Sequence, residues 1–237
     1  MTKTDYSDKT EDLFNRWKRE RPEYQTNGSS FLRDGIPDYE LWSVAKPKIM
    51  FLLKEAIRDD GWEPVMGIID FQSSFAINLA RWHQVLKLLL IDCSNVPTLS
   101  QIDKTLRFPI RDLALVEVKK ATQGLSKSEY ADIMAFAERD KDYLEEQINI
   151  IQPEVIVCCG DVTYDAYWKH LWGRCDEDSV SLSKHNTSKY DADKHGEIIV
   201  INSYHPSTPG RDEEMYSRLC ETVRDGRLFK HFNWANR

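Results

Sequence analysis

Four short apolar runs, separated by stretches with helical periodicity, set the strongest limit on how this chain folds. The runs lie within residues 46–56, 113–121, 153–161 and 197–205. Nearly continuous hydrophobic runs of this length are typical of strands that are buried on both faces, as in parallel sheets. Strands that alternate with helices therefore predict an α/β fold of three layers, with helices on both faces of a mainly parallel, four-stranded central sheet.

The stretches between these runs predict the helices that cover the sheet. Apolar residues recur at helical spacing over residues 75–90, and a second helical pattern covers residues 128–152. The second pattern should end just before Pro153, because the residue before a proline disfavours the helical conformation. Residues 161–173 and 211–235 supply the remaining helical material.

The length and composition of the chain predict a single domain that spans residues 1–237. A chain of 237 residues with 41% hydrophobic content can bury one large core. We expect residues 1–45 to form a helix and a loop laid against the sheet. Residues 174–196 are polar and poor in apolar side chains, so we expect an exposed insertion or a flexible loop there.

Composition and charge also limit the setting in which the protein works. No apolar run is long enough to span a bilayer, and the polar N-terminus shows no signal peptide. Five cysteines, an odd number without a disulfide framework, favour a reducing, cytoplasmic location. The net charge of −7 counts against broad, non-specific binding of nucleic acid but is compatible with a local basic groove.

Titratable side chains follow all four apolar runs, at the points where the predicted strands end, and the third run ends in Gly160 and Asp161. Glu55 ends the first run, the second run ends in Glu117, Lys119 and Lys120, and His205 ends the fourth. In an open α/β sheet, ligands bind beyond the carboxyl ends of the strands. We therefore predict that these side chains converge on one cleft, where they can perform acid–base or electrostatic chemistry.

The order of these strand-end motifs resembles that of the uracil-DNA glycosylase superfamily. The stretch YHPST contains the family's His-Pro-Ser motif at residues 205–207, and KEAIR matches the Glu-Ala of the first motif of the iron–sulfur branch at residues 55–56. The run PEVIVCCG resembles the family's third strand and its glycine. The likeness spans roughly residues 45–225, the length expected of one α/β unit.

This resemblance implies an enzyme of base excision in DNA repair, which hydrolyses the N-glycosidic bond of uracil or of another deaminated or modified base. It implies that Glu55 handles the hydrolytic water or stabilises the sugar cation, and that His205 stabilises the charge on the leaving base. The base first leaves the stack and settles against an aromatic ring. The resemblance places Phe71 in that position, with Phe75 and Trp62 as rivals.

The second strand carries the residues that should contact the base. Glu117 falls where the family has an Asn, so Glu117 and Lys119 are the predicted substrate-binding residues. A carboxylate only accepts hydrogen bonds and therefore suits a base with an exocyclic amine or a protonated edge better than uracil. The expected partner is DNA, including single-stranded or damaged DNA, and the predicted contacts to its backbone come from Lys120, Pro206, Ser207 and Thr208.

The sequence departs from the family pattern in the first motif and in its cysteines. Lys54 replaces the first glycine of the family's water-binding loop, and Ile57 and Arg58 replace its Pro-Gly. Cys158 and Cys159 are adjacent in a predicted strand, so their side chains point to opposite faces of the sheet. We therefore expect no iron–sulfur cluster, no other metal and no cofactor.

Each candidate residue also has a structural interpretation. His205 can be a solvated turn residue, Glu55 can cap the next helix or pair with Arg58, and Glu117 can belong to a solvated strand end. A fold relative without catalysis, which binds nucleic acid, a nucleotide or a protein partner, is the alternative function. Glu55 in a polar pocket beside His205 favours the enzyme, whereas a salt bridge of Glu55 outside the cleft favours the binding protein.

Overall fold

All four predicted apolar runs form strands in the computed structural model of the protein. In chain order they are β1 (Ile49–Glu55), β2 (Ala114–Lys119), β3 (Val155–Cys159) and, after two further strands, β6 (Ile198–Ser203). Each strand falls inside the run that predicts it. The structure describes residues 1–25, 30–56, 73–121, 128–171, 179–183, 192–195 and 197–231.

These four strands are parallel neighbours in the order β2-β1-β3-β6, which confirms the predicted parallel centre of the sheet. β1 pairs with β2 on one side and with β3 on the other. Both faces of β1 are covered, because Met50 and Leu52 belong to one hydrophobic core and Phe51 and Leu53 to the other. Burial on both faces explains why its apolar run is continuous.

Two short antiparallel strands, β4 (Ser179–Ser183) and β5 (Ala192–His195), extend the sheet beyond β6. They lie in the polar segment 174–196, to which the sequence analysis assigns no strand. The backbone of β6 provides the hydrogen-bonding partners of β5, and this pairing does not require apolar side chains. The hydrophobic pattern therefore cannot reveal this hairpin.

Seven α-helices in the described part of the chain surround the sheet. The helix Tyr130–Ile151 ends where Gln152 adopts a left-handed φ of 54°, directly before Pro153, as the sequence predicts. The helix predicted over 161–173 is α-helical only in its first part and continues as a π-helical turn at Tyr167–Leu171. None of the described helices is both long and apolar enough to cross a membrane. The α-helices are α1 (Lys3–Glu20), α2 (Tyr39–Val44), α3 (Ser74–Leu89), α4 (Leu99–Thr105), α5 (Tyr130–Ile151), α6 (Asp161–Ala166) and α7 (Asp212–Asp225), with short 3₁₀ helices at Pro22–Gln25 and Leu228–His231.

Helices lie on both faces of the sheet, which gives two hydrophobic cores and the three predicted layers. α3, α4 and α7 cover the face that includes Phe51, Leu115 and Val157. α1, α5 and α6 cover the opposite face, which includes Met50 and Val116. All five side chains are at most 1% exposed, so removal of apolar surface from water is the main force that holds the layers together.

The N-terminal segment covers the outer edge of β2. Residues 31–35 run beside this strand, where the Leu32 N–H donates to the Lys120 carbonyl at 2.8 Å and the Leu115 N–H donates to the Gly35 carbonyl at 2.9 Å. A covered edge cannot pair with a strand of another chain. The segment also brings Tyr6 of α1 into contact with the backbone, because the Tyr6 hydroxyl accepts a hydrogen bond from the Ile36 N–H at 2.9 Å.

We expect Gly35→Ala to destabilise the protein by about 2 kcal/mol or more, because its backbone conformation is strained for any other residue. Gly35 has a φ of 129°, and an added Cβ would lie 2.8 Å from the Tyr6 hydroxyl oxygen. Urea unfolding followed by tryptophan fluorescence measures the loss. Gly210→Ala is the control, because Gly210 has a φ of 73° but no atom within 4 Å of an added Cβ. Equal losses in the two variants would contradict the predicted clash with Tyr6.

Candidate functional site

The carboxyl ends of the parallel strands form one edge of the sheet, and the predicted site residues lie along it. β1 ends at Glu55 and β2 at Lys119, and these two residues are register partners. β6 ends at Ser203, two residues before His205. Neighbouring strands are about 4.8 Å apart, so β1 and β6, which are separated by β3, lie roughly 10 Å apart. The structure therefore brings Glu55, Glu117 and His205 to the same edge, as the sequence predicts.

The Glu55 carboxylate is almost fully buried and has hydrogen-bond donors on both oxygens. The Ser128 N–H donates to Oε1 at 2.7 Å, and the Ser128 hydroxyl donates to Oε2 at 2.5 Å. Lys119 Nζ lies 3.3 Å from the same Oε2, and the Glu55 side chain is only 2% exposed. These donors fix the position of the carboxylate at the strand edge.

The contacts of Glu55 bear on its two structural interpretations, which are a cap of the next helix and an ion pair with Arg58. Ser128 lies two residues before α5, so Glu55 ties β1 to the start of a helix that is not the next one in the chain. Lys119 joins the contact from β2 and donates a hydrogen bond to the Ser128 hydroxyl at 2.6 Å. Arg58, the partner weighed in the sequence analysis, lies outside the described residues. Glu55 is thus an anchor point between two strands and a helix.

His205 lies in a tight turn whose hydrogen bonds fix its imidazole ring. The Thr208 N–H donates to the His205 carbonyl at 2.9 Å and closes the turn. The Ser207 N–H donates to His205 Nδ1 at 3.3 Å, and the Ser207 hydroxyl lies 2.7 Å from the same nitrogen. Because a backbone N–H can only donate, Nδ1 is the acceptor and a neutral imidazole carries its proton on Nε2.

Helix α3 anchors this turn through a side-chain hydrogen bond and a ring contact. The Asn78 side-chain amide donates to the Pro206 carbonyl at 2.9 Å, and Pro206 itself is buried. The Phe75 ring lies against the imidazole of His205, with 5.5 Å between ring centroids. Sequence reasoning missed Asn78, because no motif marks it and only the packing of α3 brings it to the turn.

Some residues predicted to stack on the base or to contact the DNA backbone lie among the described residues, and others do not. Phe71 and Trp62 lie outside the described residues, whereas their rival Phe75 contacts His205. Ser207 is exposed and Thr208 half-buried, so both are placed where a phosphate could reach them.

Lys120 is buried, whereas the predicted contact with the DNA backbone requires an exposed side chain. Its ammonium lies 2.5 Å from an Asp34 carboxylate oxygen and 5.4 Å from the centre of the Trp17 ring. Both side chains of the ion pair are 0% exposed, so Lys120 cannot reach a phosphate in this arrangement. The reason is that the N-terminal segment covers β2, which the strand-end rule does not foresee.

Asp34 is the centre of this buried cluster, and the sequence analysis did not single it out. Besides Lys120, it accepts a hydrogen bond from the Gln147 side chain of α5 at 2.6 Å. It also accepts one from the Glu117 backbone N–H at 2.7 Å. Burial lowers the pKa of Lys120, and the nearby Asp34 carboxylate opposes that shift.

Glu117 is buried, and none of the described residues forms an ion pair with it. Its side chain lies on the sheet face that continues Leu53 and Leu115, and the residue is 3% exposed. Its Oε2 atom has no hydrogen-bond partner among the described residues. Burial, together with the negative charges of Asp34 and Glu55, raises the pKa of Glu117 to about 8 against the opposing effect of Lys120 and Lys54. A raised pKa favours the protonated form, which donates a hydrogen bond as well as accepting one.

The two adjacent cysteines of β3 point to opposite faces of the sheet, as their adjacency predicts. Cys158 belongs to the core beneath α1 and α5, and Cys159 belongs to the core beneath α3 and α7. Burial raises the pKa of both thiols well above the ordinary value, so both remain protonated and unreactive.

The structure is that of an α/β protein in which a histidine turn and two buried carboxyl groups lie along the edge formed by the carboxyl ends of parallel strands. The sequence profile of the Uracil DNA glycosylase superfamily matches residues 93–225, more than half of the chain. The protein therefore belongs to the uracil-DNA glycosylase superfamily, as the order of its motifs predicts. No curated protein matches the chain.

The matched range contains only part of the candidate site. It includes Glu117, Lys119 and the His205 turn, but it begins after β1 and therefore excludes Glu55. The departures of the first motif from the family pattern lie in this unmatched part of the chain. Family membership thus depends on the second to fourth parallel strands and not on the first motif.

We expect Asp34→Asn to destabilise the protein by about 3–5 kcal/mol, because it leaves Lys120 buried without its counter-charge. Chemical unfolding measures the change. Combining Asp34→Asn with Lys120→Met should recover part of the loss, because the second substitution removes the unpaired charge. Glu40→Gln is the control, since the Lys3–Glu40 pair is 67% and 74% exposed and should change stability by less than about 1 kcal/mol. A loss for Asp34→Asn as small as that of the control would show that the buried pair is not important for stability.

Proposed function

We propose that the protein hydrolyses the N-glycosidic bond between deoxyribose and uracil, or another deaminated base, in DNA. The observation that carries the proposal is the protonation pattern of His205. Its Nδ1 accepts a hydrogen bond from the Ser207 N–H, so a neutral ring carries its proton on Nε2, at the edge where donors from Ser128 and Lys119 hold the Glu55 carboxyl group in place. A fixed neutral donor and a fixed carboxylate at one strand edge suit a reaction that separates charge.

His205 acts on the leaving base in this mechanism. As the C1′–N bond breaks, its electron pair moves to the base, and negative charge develops on a carbonyl oxygen of the base. The Nε2–H of His205 donates a hydrogen bond to that oxygen, which stabilises the departing anion before solvent protonates it. The two contacts from Ser207 fix the ring in advance, so little reorganisation is needed during the reaction.

Glu55 acts on the sugar. Loss of the base leaves an oxocarbenium-like cation at C1′, and a nearby carboxylate stabilises this positive charge. A carboxylate has more acceptor sites than its donors from Ser128 and Lys119 occupy, so Glu55 can also accept a hydrogen bond from the attacking water. The water oxygen bonds to C1′ and its proton leaves to solvent, which gives a free base and an abasic sugar.

Among the described residues, few of the predicted DNA-contacting groups can reach a phosphate at this site. Ser207 and Thr208 offer hydroxyl and amide donors to a phosphate, whereas Lys120 is withdrawn into the core. A net charge of −7 favours a base that leaves its stack at low cost, because little electrostatic attraction to the DNA backbone is available to pay for unstacking. We therefore propose single-stranded or damaged DNA as the preferred partner.

A member of the superfamily that binds a base without releasing it is the second candidate. The observation in its favour is that both oxygens of Glu55 already have donors, from Ser128 and from Lys119. A carboxylate that only anchors α5 would not activate water. The two candidates differ in one readout, because this second protein would bind a uracil-containing oligonucleotide and leave its glycosidic bond intact.

We expect the purified protein to release base from single-stranded oligonucleotides that contain uracil, hypoxanthine or xanthine. Alkali cleavage of the abasic product, resolved on a gel, measures the rate. His205→Ala should lower this rate by about 100- to 1000-fold, because it removes the donor to the leaving base. His170→Ala, which removes a half-buried histidine in the π-helical turn, is the matched control and should have no such effect. The absence of product from every oligonucleotide would contradict the enzymatic proposal.

Glu55→Gln tests whether the carboxylate is catalytic or only an anchor. The glutamine oxygen can still accept the hydrogen bond from the Ser128 N–H, so the fold should persist while the negative charge is lost. We expect the rate of base release to fall by about 10- to 100-fold, measured at a temperature where the variant is fully folded, because the substitution also leaves buried Lys119 without its counter-charge and lowers the melting temperature. A wild-type rate in this variant would assign Glu55 a structural role alone.

A further inference from the structure

Helix α3 presents three side chains to the histidine turn and its surroundings. Phe75, Asn78 and Arg81 follow one another at intervals of three residues, so they lie on the same side of the helix. Phe75 packs against the ring of His205, and the Asn78 amide donates to the carbonyl of Pro206. Arg81, the third of these residues, makes its hydrogen bonds with the neighbours of the turn.

The Arg81 guanidinium joins α3 to two other helices. Its Nε and Nη2 donate to the two carboxylate oxygens of Asp103 in α4, at 2.7 and 2.9 Å. Its Nη1 donates to Oδ2 of Asp212 at the start of α7, at 3.0 Å, and to Oδ1 of Asn78 at 2.8 Å. The paired contact with Asp103 fixes the plane of the guanidinium, and the remaining nitrogen therefore has a fixed direction.

This contact also fixes the orientation of the Asn78 amide. A guanidinium only donates hydrogen bonds, so the amide atom that faces Arg81 is the oxygen. The amide nitrogen then faces the Pro206 carbonyl at 2.9 Å and Oδ1 of Asp212 at 3.3 Å, and both of these groups accept. Asn78 is 3% exposed, so little water is available to replace these contacts. The donor that holds the turn is therefore oriented by Arg81.

We propose that Arg81 is a positioning residue for His205, because it holds the segment that follows the imidazole at two points. The first point is Pro206, which Arg81 holds through Asn78. The second is Asp212, which it holds directly. This inference rests on the proposed function, in which the direction of the Nε2–H bond of His205 decides how well the departing base is stabilised.

Ser207 lies between these two points and connects them to the imidazole. Its hydroxyl and its N–H contact Nδ1 of His205 at 2.7 and 3.3 Å, and these contacts set which ring nitrogen carries the proton. If the segment is released, Ser207 can move relative to the ring. A displacement of about 1 Å can slow a reaction by about 100-fold even when the altered residue does not touch the substrate. Arg81 thus acts on the rate through His205.

The partners of Arg81 are exposed enough for the arginine to be replaced in a folded protein. The side chains of Asp103 and Asp212 are 38% and 48% exposed, whereas that of Arg81 is 15% exposed. A carboxylate that loses its partner at such exposure is still solvated, so Arg81→Met should have little effect on stability. Methionine also keeps most of the apolar part of the arginine side chain.

The experiment measures base release by Arg81→Met, both alone and combined with His205→Ala. We expect Arg81→Met alone to lower kcat by about 10-fold and to leave KM within about twofold of wild type, because the displaced group acts in the transition state. In the His205→Ala background, Arg81→Met should cause no further loss, because the residue through which it acts is gone. A residue that only stabilises the fold would not show this dependence on His205.

Two further variants complete the set. Arg81→Lys keeps the positive charge but has one ammonium in place of the fork, so it should lose nearly as much kcat as Arg81→Met. Arg218→Met is the matched control, because Arg218 forms an exposed pair with Glu221 within α7, at 3.2 Å. It should release base at the rate of wild type.

The outcomes separate this inference from the proposed function. An equal loss for Arg81→Met with and without His205 would overturn the inference while the glycosylase activity stands. If wild type releases no base, the proposed function fails, and NMR of the imidazole nitrogens decides the inference. We expect His205 of wild type to show one neutral tautomer, with its proton on Nε2, and His205 of Arg81→Met to show a mixture of both tautomers. The same single tautomer in both proteins would overturn the inference.

Discussion

The Asp34 carboxylate joins three parts of the molecule that are far apart in the sequence. It accepts hydrogen bonds from Lys120 and the Glu117 backbone in β2, and from Gln147 in α5. Through Asp34 the N-terminal segment is fastened to the strand that it covers. An ion pair that is fully buried tolerates little displacement, because each partner loses its compensation when the other moves. The position of β2, and with it Glu117, depends on this contact.

The arrangement of cations then decides the chemistry of the strand edge. Lys120 neutralises Asp34 and Lys119 neutralises Glu55, so neither ammonium is left to neutralise Glu117. Glu55 has donors on both oxygens, whereas Oε2 of Glu117 has no hydrogen-bond partner among the described residues. Burial and the charges of Asp34 and Glu55 raise the pKa of Glu117. Different roles for the two acids follow from their environments and not from their residue type.

The apolar runs were sufficient to predict the parallel strands, and the rule that ligands bind at strand ends placed Glu55 and His205 at one edge. Features that depend on tertiary contacts could not be predicted in this way. Lys120 looks like an exposed strand-end lysine until the N-terminal segment covers its strand. Asn78 reaches the Pro206 carbonyl only because α3 packs against the turn. The protonation of Glu117 depends on ion pairs between residues distant in sequence, which no local pattern reveals.

β1 lies between β2 and β3 in the sheet, so a fragment without β1 would have a gap between these two strands. The range that identifies the superfamily begins at residue 93, yet β2 has no strand neighbour in the described sheet other than β1. A fragment cut at the start of that range would keep the histidine turn but separate β2 from β3 by an empty strand position. It would also lack α3, whose Asn78 holds the turn. The portion of the sequence that is easiest to recognise is therefore not an autonomous folding unit.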